Sequence, residues 1–378
     1  MRRTRGMRLA IGALALGLVL AACAKDSGQG GTGAQDDNAE GCETVAPPPA
    51  AAATTTQARE GEQVDGSELN VGLAYDIGGR GDASFNDAAA AGIDLAKDQL
   101  GVADIKELSA GANESEADKQ TRLRQLADGG SNVIIGVGFA YSEAVAAVAP
   151  KFPDVRFAVV DGFIEDPSDN VTLLTFAEHE GSYLVGVIAA LKSKSCNIGF
   201  VGGVRVPLIQ KFEAGFEAGV TAVAPDATVE STYLTEAGDI TGFQDAPKGE
   251  VATKGLINDK GVDVVYHAAG ASGKGVFAAA KAADVLAIGV DSDQYHQKTV
   301  AEYQDVIISS MLKRVDVAVM DFLTAVAKDD LSGLPEVFDL KVDGVGYATS
   351  GGKIDDVTGT VDAYKQQIID GEITVPDK

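Results

Sequence analysis

The feature that most constrains this chain is a long alternation of short Val/Ile-rich runs with amphipathic stretches. From residue 69 onward, strands are predicted over 69–75, 105–108, 132–136, 156–160, 171–175, 198–201, 229–234, 262–266, 285–290 and 306–310. Helices are predicted between them over 85–100, 114–127, 141–149, 178–191, 207–223, near 248–258 and near 273–283. Most of the strand candidates are apolar at successive positions rather than at alternate ones, so both faces must be covered. Parallel sheets flanked by helices meet that condition, and 378 residues give room for two such α/β domains. After Val337 the pattern weakens to short strands over 337–342 and 346–348 and an amphipathic helix over 361–370.

Composition narrows what such domains can do. Asp plus Glu number 56 against 31 Lys plus Arg, a net charge of −25 that repels phosphate backbones and argues against nucleic acid as a partner. Three Cys exclude a disulfide-dense scaffold and a Cys-rich zinc protein, and three His leave little for a His-based metal site or hydrolase. The run Gly270-Ala-Ser-Gly-Lys274-Gly275 resembles a phosphate loop but has no Ser or Thr after the lysine. No G-x-S-x-G elbow occurs. No metal and no cofactor are therefore expected.

The N-terminus points to export. Arg2, Arg3, Arg5 and Arg8 precede an apolar run over 9–22 that is short for a membrane span and ends in Leu20-Ala21-Ala22-Cys23. Small residues before a cysteine make a bacterial lipobox. We expect a signal peptide over 1–22 and acylation of Cys23, which would anchor the protein to the extracytoplasmic face of the cell membrane. Cleavage would take the net charge from −25 to −29. Residues 23–67 are rich in Gly, Ala, Thr, Pro, Asp and Gln and read as a flexible tether. Cys42 and Cys196 are able to pair in an oxidising compartment, but a small buried thiol is the simpler reading of Cys196.

In doubly wound sheets, ligands sit beyond the carboxyl ends of the strands. Three of the predicted strand exits carry an aspartate directly, Asp76, Asp161 and Asp291, and others are glycine-rich, including Gly138 and Gly270. Glycine lets a backbone approach a ligand closely, and a carboxylate accepts hydrogen bonds from paired hydroxyls. Each such aspartate is also a good turn or cap residue, so it is the recurrence at one sheet edge that favours a site.

The segment Asp76-Ile-Gly-Gly-Arg-Gly-Asp-Ala-Ser-Phe-Asn86 resembles the D-x-G-G-x-x-D-x-S-F-N opening of the basic membrane protein family of bacterial substrate-binding lipoproteins. Further blocks follow in order at 176–186, 199–204, 212–220, 268–276, 289–294 and 309–313, and the likeness covers about residues 69–320. It implies a two-lobed periplasmic-binding-protein type I fold, with two doubly wound parallel sheets joined by a hinge. The first lobe is expected over 68–174 and 291–309, the second over 175–290 and 310–378. The implied function is capture of a nucleoside, a purine nucleoside by family likeness, and delivery to an ABC permease driven by a separate ATPase, without catalysis.

The resemblance implies a set of ligand contacts. Phe85 would stack on the base, Asn86 would bond its edge, and Asp76 would line the first lobe. Asp161 would face base or ribose. Phe243, with Phe212 as its competitor, would supply the second ring, and Gly270 a backbone contact. Asp291 and Lys313 would hold ribose hydroxyls, with Lys313 opening the helix after the strand over 306–310. A sugar receptor of the same architecture, a nucleoside-cleaving enzyme and a sensory receptor are the alternatives.

Overall fold

A computed structural model describes residues 41–49, 64–112 and 114–378. Cys23, the expected leader and residues 24–40 and 50–63 of the expected tether lie outside them. Among the described residues no helix is long and apolar enough to cross a membrane.

The first lobe is built from β1 (Asn70–Tyr75), α1 (Phe85–Leu100), β2 (Asp104–Ser109), α2 (Glu116–Asp128), β3 (Val133–Val137), α3 (Ser142–Val148), β4 (Arg156–Val160) and β5 (Val171–Leu174). Its strands form one parallel sheet in the order β2-β1-β3-β4-β5. The all-apolar run Val133-Ile-Ile-Gly-Val137 sits buried at its centre, as a strand covered on both faces requires.

The second lobe contains α4 (Glu178–Lys192), β6 (Asn197–Arg205), α5 (Pro207–Val223), β7 (Thr228–Glu236), α6 (Ala246–Lys260), β8 (Val264–Ala268), α7 (Gly273–Ala283), β9 (Leu286–Asp291) and β10 (Ile307–Lys313). After these come α8 (Val315–Ala327), β11 (Val345–Tyr347) and α9 (Thr358–Ile369). The second sheet runs β11-β10-β9-β8-β6-β7, parallel except for the antiparallel edge strand β11. Helices α4 and α5 pack with almost no gap: a Cβ at Gly215 would stand 2.1 Å from the His179 carbonyl oxygen, and one at Gly219 2.0 Å from that of Tyr183. Only glycine permits that approach, which buries the middle of α4 completely.

Both lobes lie within one compact unit. The chain crosses between them at residues 175–177, at Arg314 and again before Phe338. The first and last crossings pair with each other: Phe338 N–H donates to Thr175 O at 2.8 Å and Ala177 N–H to Phe338 O at 3.1 Å. Rings of Phe176 and Phe338 lie 5.3 Å apart beside them.

Three expectations need correction. Residues 307–309 do not join the first lobe, because β10 pairs along β9 in the second sheet. It is α8 that returns to the first lobe, where a Cβ at Gly92 of α1 would stand 2.6 Å from Asp316 O. Lys313 ends β10 rather than opening a helix. The strand predicted over 337–342 does not form: Asp339 Oδ1 accepts from the Lys341 and Val342 N–H groups, curling that segment into a turn.

Candidate functional site

Each sheet reverses its winding once, between β1 and β3 in the first and between β6 and β8 in the second. A crevice opens at such a switch point, outside the carboxyl ends of the strands. Here the two crevices face each other and share one cavity between the lobes. Its wall includes Asp76, Phe85, Asn86, Asp161, Phe243, Gly270, Asp291 and Lys313, so the structure brings together all eight residues singled out from the sequence. It also includes Asp82, Phe139, Leu208, Ile209 and Phe212.

The loop after β1 is held by its own side chains. Gly78, Gly79 and Gly81 take positive φ and coil the loop back on itself. Asp82 caps α1: Oδ1 accepts from the Ser84 and Asp87 N–H groups and Oδ2 from that of Asn86, all within 3.1 Å. The Asn86 amide is spent inside the loop. Its Oδ1 accepts from Asp76 N–H at 3.1 Å, and its Nδ2 donates to Asp82 Oδ2 at 3.0 Å and Ile77 O at 3.3 Å. Both amide hydrogens are thereby used, so Asn86 fixes the loop instead of offering a donor to the cavity. Phe85, one residue earlier, is left half-buried at the wall.

Asp161 and Asp291 end strands in the two lobes, with φ of +59 and +65. Aspartate tolerates this left-handed geometry, which turns each carboxylate into the cavity. Lys313, 2% exposed, sits among them. Its Nζ lies 2.7 Å from Asp161 Oδ2, 2.6 Å from Asp161 Oδ1 and 3.1 Å from Glu178 Oε1. It also stands 5.3 Å from the Phe85 ring centre and 5.5 Å from that of Phe212, within range for a cation over an aromatic face. Burial works against the ammonium, but Asp161, Glu178 and Asp291 together raise its pKa and keep it charged.

The carboxylates respond in the opposite sense. Burial pushes Asp291 up to about 7 and Asp76 up to about 6, with Lys313 pulling the first back and the Ile77 N–H the second. Asp161 is raised by burial against the pull of Lys313. Glu178 is a partner that sequence reasoning missed. An acidic residue in the first turn of a helix has an ordinary dipole explanation, so nothing local flagged it.

Besides the Lys313–Asp161 pair, three hydrogen bonds join the lobes at the loop before α1. Ser84 Oγ donates to Asp291 Oδ2 at 2.5 Å. The Ala83 carbonyl accepts from Gln294 Nε2 at 2.9 Å and Ser292 Oγ at 3.1 Å. Gln294 is oriented by Val290 N–H, which donates to its Oε1 at 2.9 Å, and by buried His267, whose Nε2 lies 3.1 Å from the same oxygen. Burial lowers the His267 pKa to about 4, so the ring is neutral near pH 7 and its Nε2–H serves as the donor.

On the second lobe, Phe212 and Phe243 approach the same space differently. Phe212 is 2% exposed and packs in the core. Phe243, on a short turn over Ile240–Phe243, is half-buried and covers Gly203, where a Cβ would meet its ring at 2.4 Å. Both rings line the cavity, Phe243 being the more exposed of the two.

The cavity wall combines apolar and polar groups. Rings line two sides, and several carboxyl groups with one lysine offer hydrogen-bond partners. Comparison with known proteins places this arrangement. A family model described as ABC transporter substrate-binding protein PnrA-like matches residues 69–378. The chain is similar to the CD4+ T-cell-stimulating antigen of Listeria monocytogenes, at 38% identity over 82% of this chain and 89% of the relative. It is also similar to the ABC transporter nucleoside-binding protein BmpA of Lactococcus lactis, at 33% identity over 82% and 90%. Among solved structures, a solute-binding protein of an ABC transporter system from Aeropyrum pernix superposes with a TM-score of 0.70 at 29% identity, covering 82% of this chain and 94% of that one. With its two-lobed α/β fold of periplasmic-binding-protein type, the chain belongs to the PnrA-like family of ABC-transporter substrate-binding proteins.

Proposed function

We propose that this protein captures a purine nucleoside between its lobes and delivers it, chemically unchanged, to an ABC permease. The observation that carries the reading is the cavity's chemistry: aromatic rings from both lobes beside a cluster of buried carboxyl groups held by the buried Lys313. A base stacks on Phe85 from the first lobe and Phe243 from the second. Asp161 accepts from base or ribose donors, and Asp291 and Lys313 engage the ribose hydroxyls. Asp76 shapes the wall, Gly270 allows close backbone approach, and Asn86 holds the loop that presents Phe85. The carboxylates repel phosphate, which favours nucleosides over nucleotides.

The similarity to a nucleoside-binding relative supports the same reading. Ligand contacts made by both lobes favour the closed form and shift the hinge equilibrium toward it. Acylation at Cys23, within the lipobox, would hold the loaded protein beside the permease and its ATPase. Mass spectrometry of the small molecule that co-purifies with the protein tests the proposal. A purine nucleoside is expected, and a pentose or hexose in its place would overturn it.

A further inference from the structure

The described part of the N-terminal arm is fastened to the second lobe. Val45 N–H donates to Val223 O, at the end of α5, at 2.8 Å. Cys42 packs against the hydrophobic core, and its Sγ lies 3.9 Å from Ser193 O. Cys196 is held at the same residue, its N–H donating to Ser193 Oγ at 3.0 Å. Two cysteines separated by 153 residues in sequence are thus brought to the same residue, Ser193.

The turn that presents Cys196 is firmly built. Ser193 Oγ donates to Asp263 Oδ1 at 2.7 Å, and the N–H groups of Lys194 and Ser195 donate to Asp263 Oδ2 at 2.7 Å each. Cys196 takes a φ of +59, a conformation that a residue with a Cβ seldom adopts without support. A part-buried Asp263 anchor and a strained backbone are more than a merely space-filling thiol needs.

We propose that Cys42 and Cys196 form a disulfide that staples the N-terminal arm to the second lobe. Both cysteines contact Ser193, which sets them side by side, and the bond needs their side chains to turn into the disulfide torsion. The basic and apolar N-terminal segment points to export, and extracytoplasmic compartments preserve disulfides. The oxidant is a disulfide-bearing carrier of that compartment. One cysteine thiolate attacks the carrier's S–S bond, forms a mixed disulfide and expels one carrier thiolate. The second cysteine thiolate attacks the mixed disulfide at the protein sulfur and expels the other. The two cysteine protons end on the carrier, which leaves as a dithiol reduced by two electrons. Burial, with Cys196 adding to it, pushes the Cys42 thiol up to about 12, so the docked Cys42 is a poor nucleophile. Exchange therefore belongs to folding, before the arm seats.

The staple closes a loop that contains the entire first sheet, β1 to β5, and fixes the arm's exit point on the other lobe. Pull on the segment before Cys42 is then borne by the second lobe rather than by β1.

The test uses the full chain, exported and purified without reductant, then alkylated with iodoacetamide in denaturant and digested. A cross-linked peptide pair containing Cys42 and Cys196, lighter by two hydrogens than the separate thiols, is expected. Alkylation of both cysteines without prior reduction would overturn the proposal. A second arm compares melting temperatures with and without reductant. Reduction is expected to lower that of the natural chain by about 4 °C and to leave Cys42→Ser unchanged. An equal shift in both, or none in either, would overturn the staple.

Discussion

Lys313 Nζ, at the end of the second sheet, lies 2.7 Å from Asp161 Oδ2, at the exit of a strand in the first. This buried ion pair spans the lobes and adjoins the hinge, since Arg314 begins the next crossing. It therefore couples closure to the charge state of the cavity wall.

Removing the cation leaves the buried Asp161 without its ion-pair partner and leaves Glu178 with only Lys211, at 3.9 Å. Lys313→Met is expected to destabilise the fold by about 3–5 kcal/mol. Urea unfolding monitored by circular dichroism measures this. Glu178→Gln, which keeps the Asp161 pair, is expected to cost less.

The raised Asp291 pKa gives stability a definite pH slope. Its carboxyl moves from 3.8 to about 7 on folding, chiefly through burial. The folded protein thus keeps a proton that the unfolded chain releases. The resulting stability is fully present below the unfolded value and is lost as pH rises through about 7. Asp291→Asn is expected to flatten this part of the slope, read from denaturation midpoints between the two pH limits. Ligand hydroxyls favour the carboxylate, so affinity is expected to rise over the same range.

Ser84 donates to Asp291 from the opposite lobe. Ser84→Ala removes a bond present only when the lobes meet. With the worth of a hydrogen bond to a charged acceptor, ligand affinity is expected to fall roughly tenfold, measured by calorimetric titration, with α1 still formed because Asp82 supplies its cap.

The two candidate rings separate cleanly by what each truncation damages. Phe243→Ala is expected to weaken nucleoside binding by about 1–3 kcal/mol with little effect on stability. Phe212→Ala, in the core, is expected to cost about 3–5 kcal/mol of stability. Paired titration and thermal melting of the two variants check this.

Much of the architecture was legible in the sequence, and the reasons are local. Helix α1 begins and ends where the sequence placed it because Gly101, in the left-handed conformation, stops it after a steady apolar stripe. Pro207 likewise marked the start of α5. The aspartates at strand exits were found because the switch-point rule says where to look. What escaped depends on long-range partners. The Lys313 segment reads as a helix start until β9 and β11 flank it as strands. Asn86 reads as a ligand donor until Asp76, Ile77 and Asp82 consume its hydrogen bonds. Glu178 is anonymous until the fold sets it against Lys313.

The most direct test of the account is calorimetric titration of protein freed of bound ligand by unfolding and refolding, using adenosine, guanosine and inosine, their monophosphates, and free pentoses and hexoses. The account predicts saturable one-to-one binding of at least one purine nucleoside and none of the monophosphates or free sugars. Saturation by a sugar with no response to any nucleoside would contradict it.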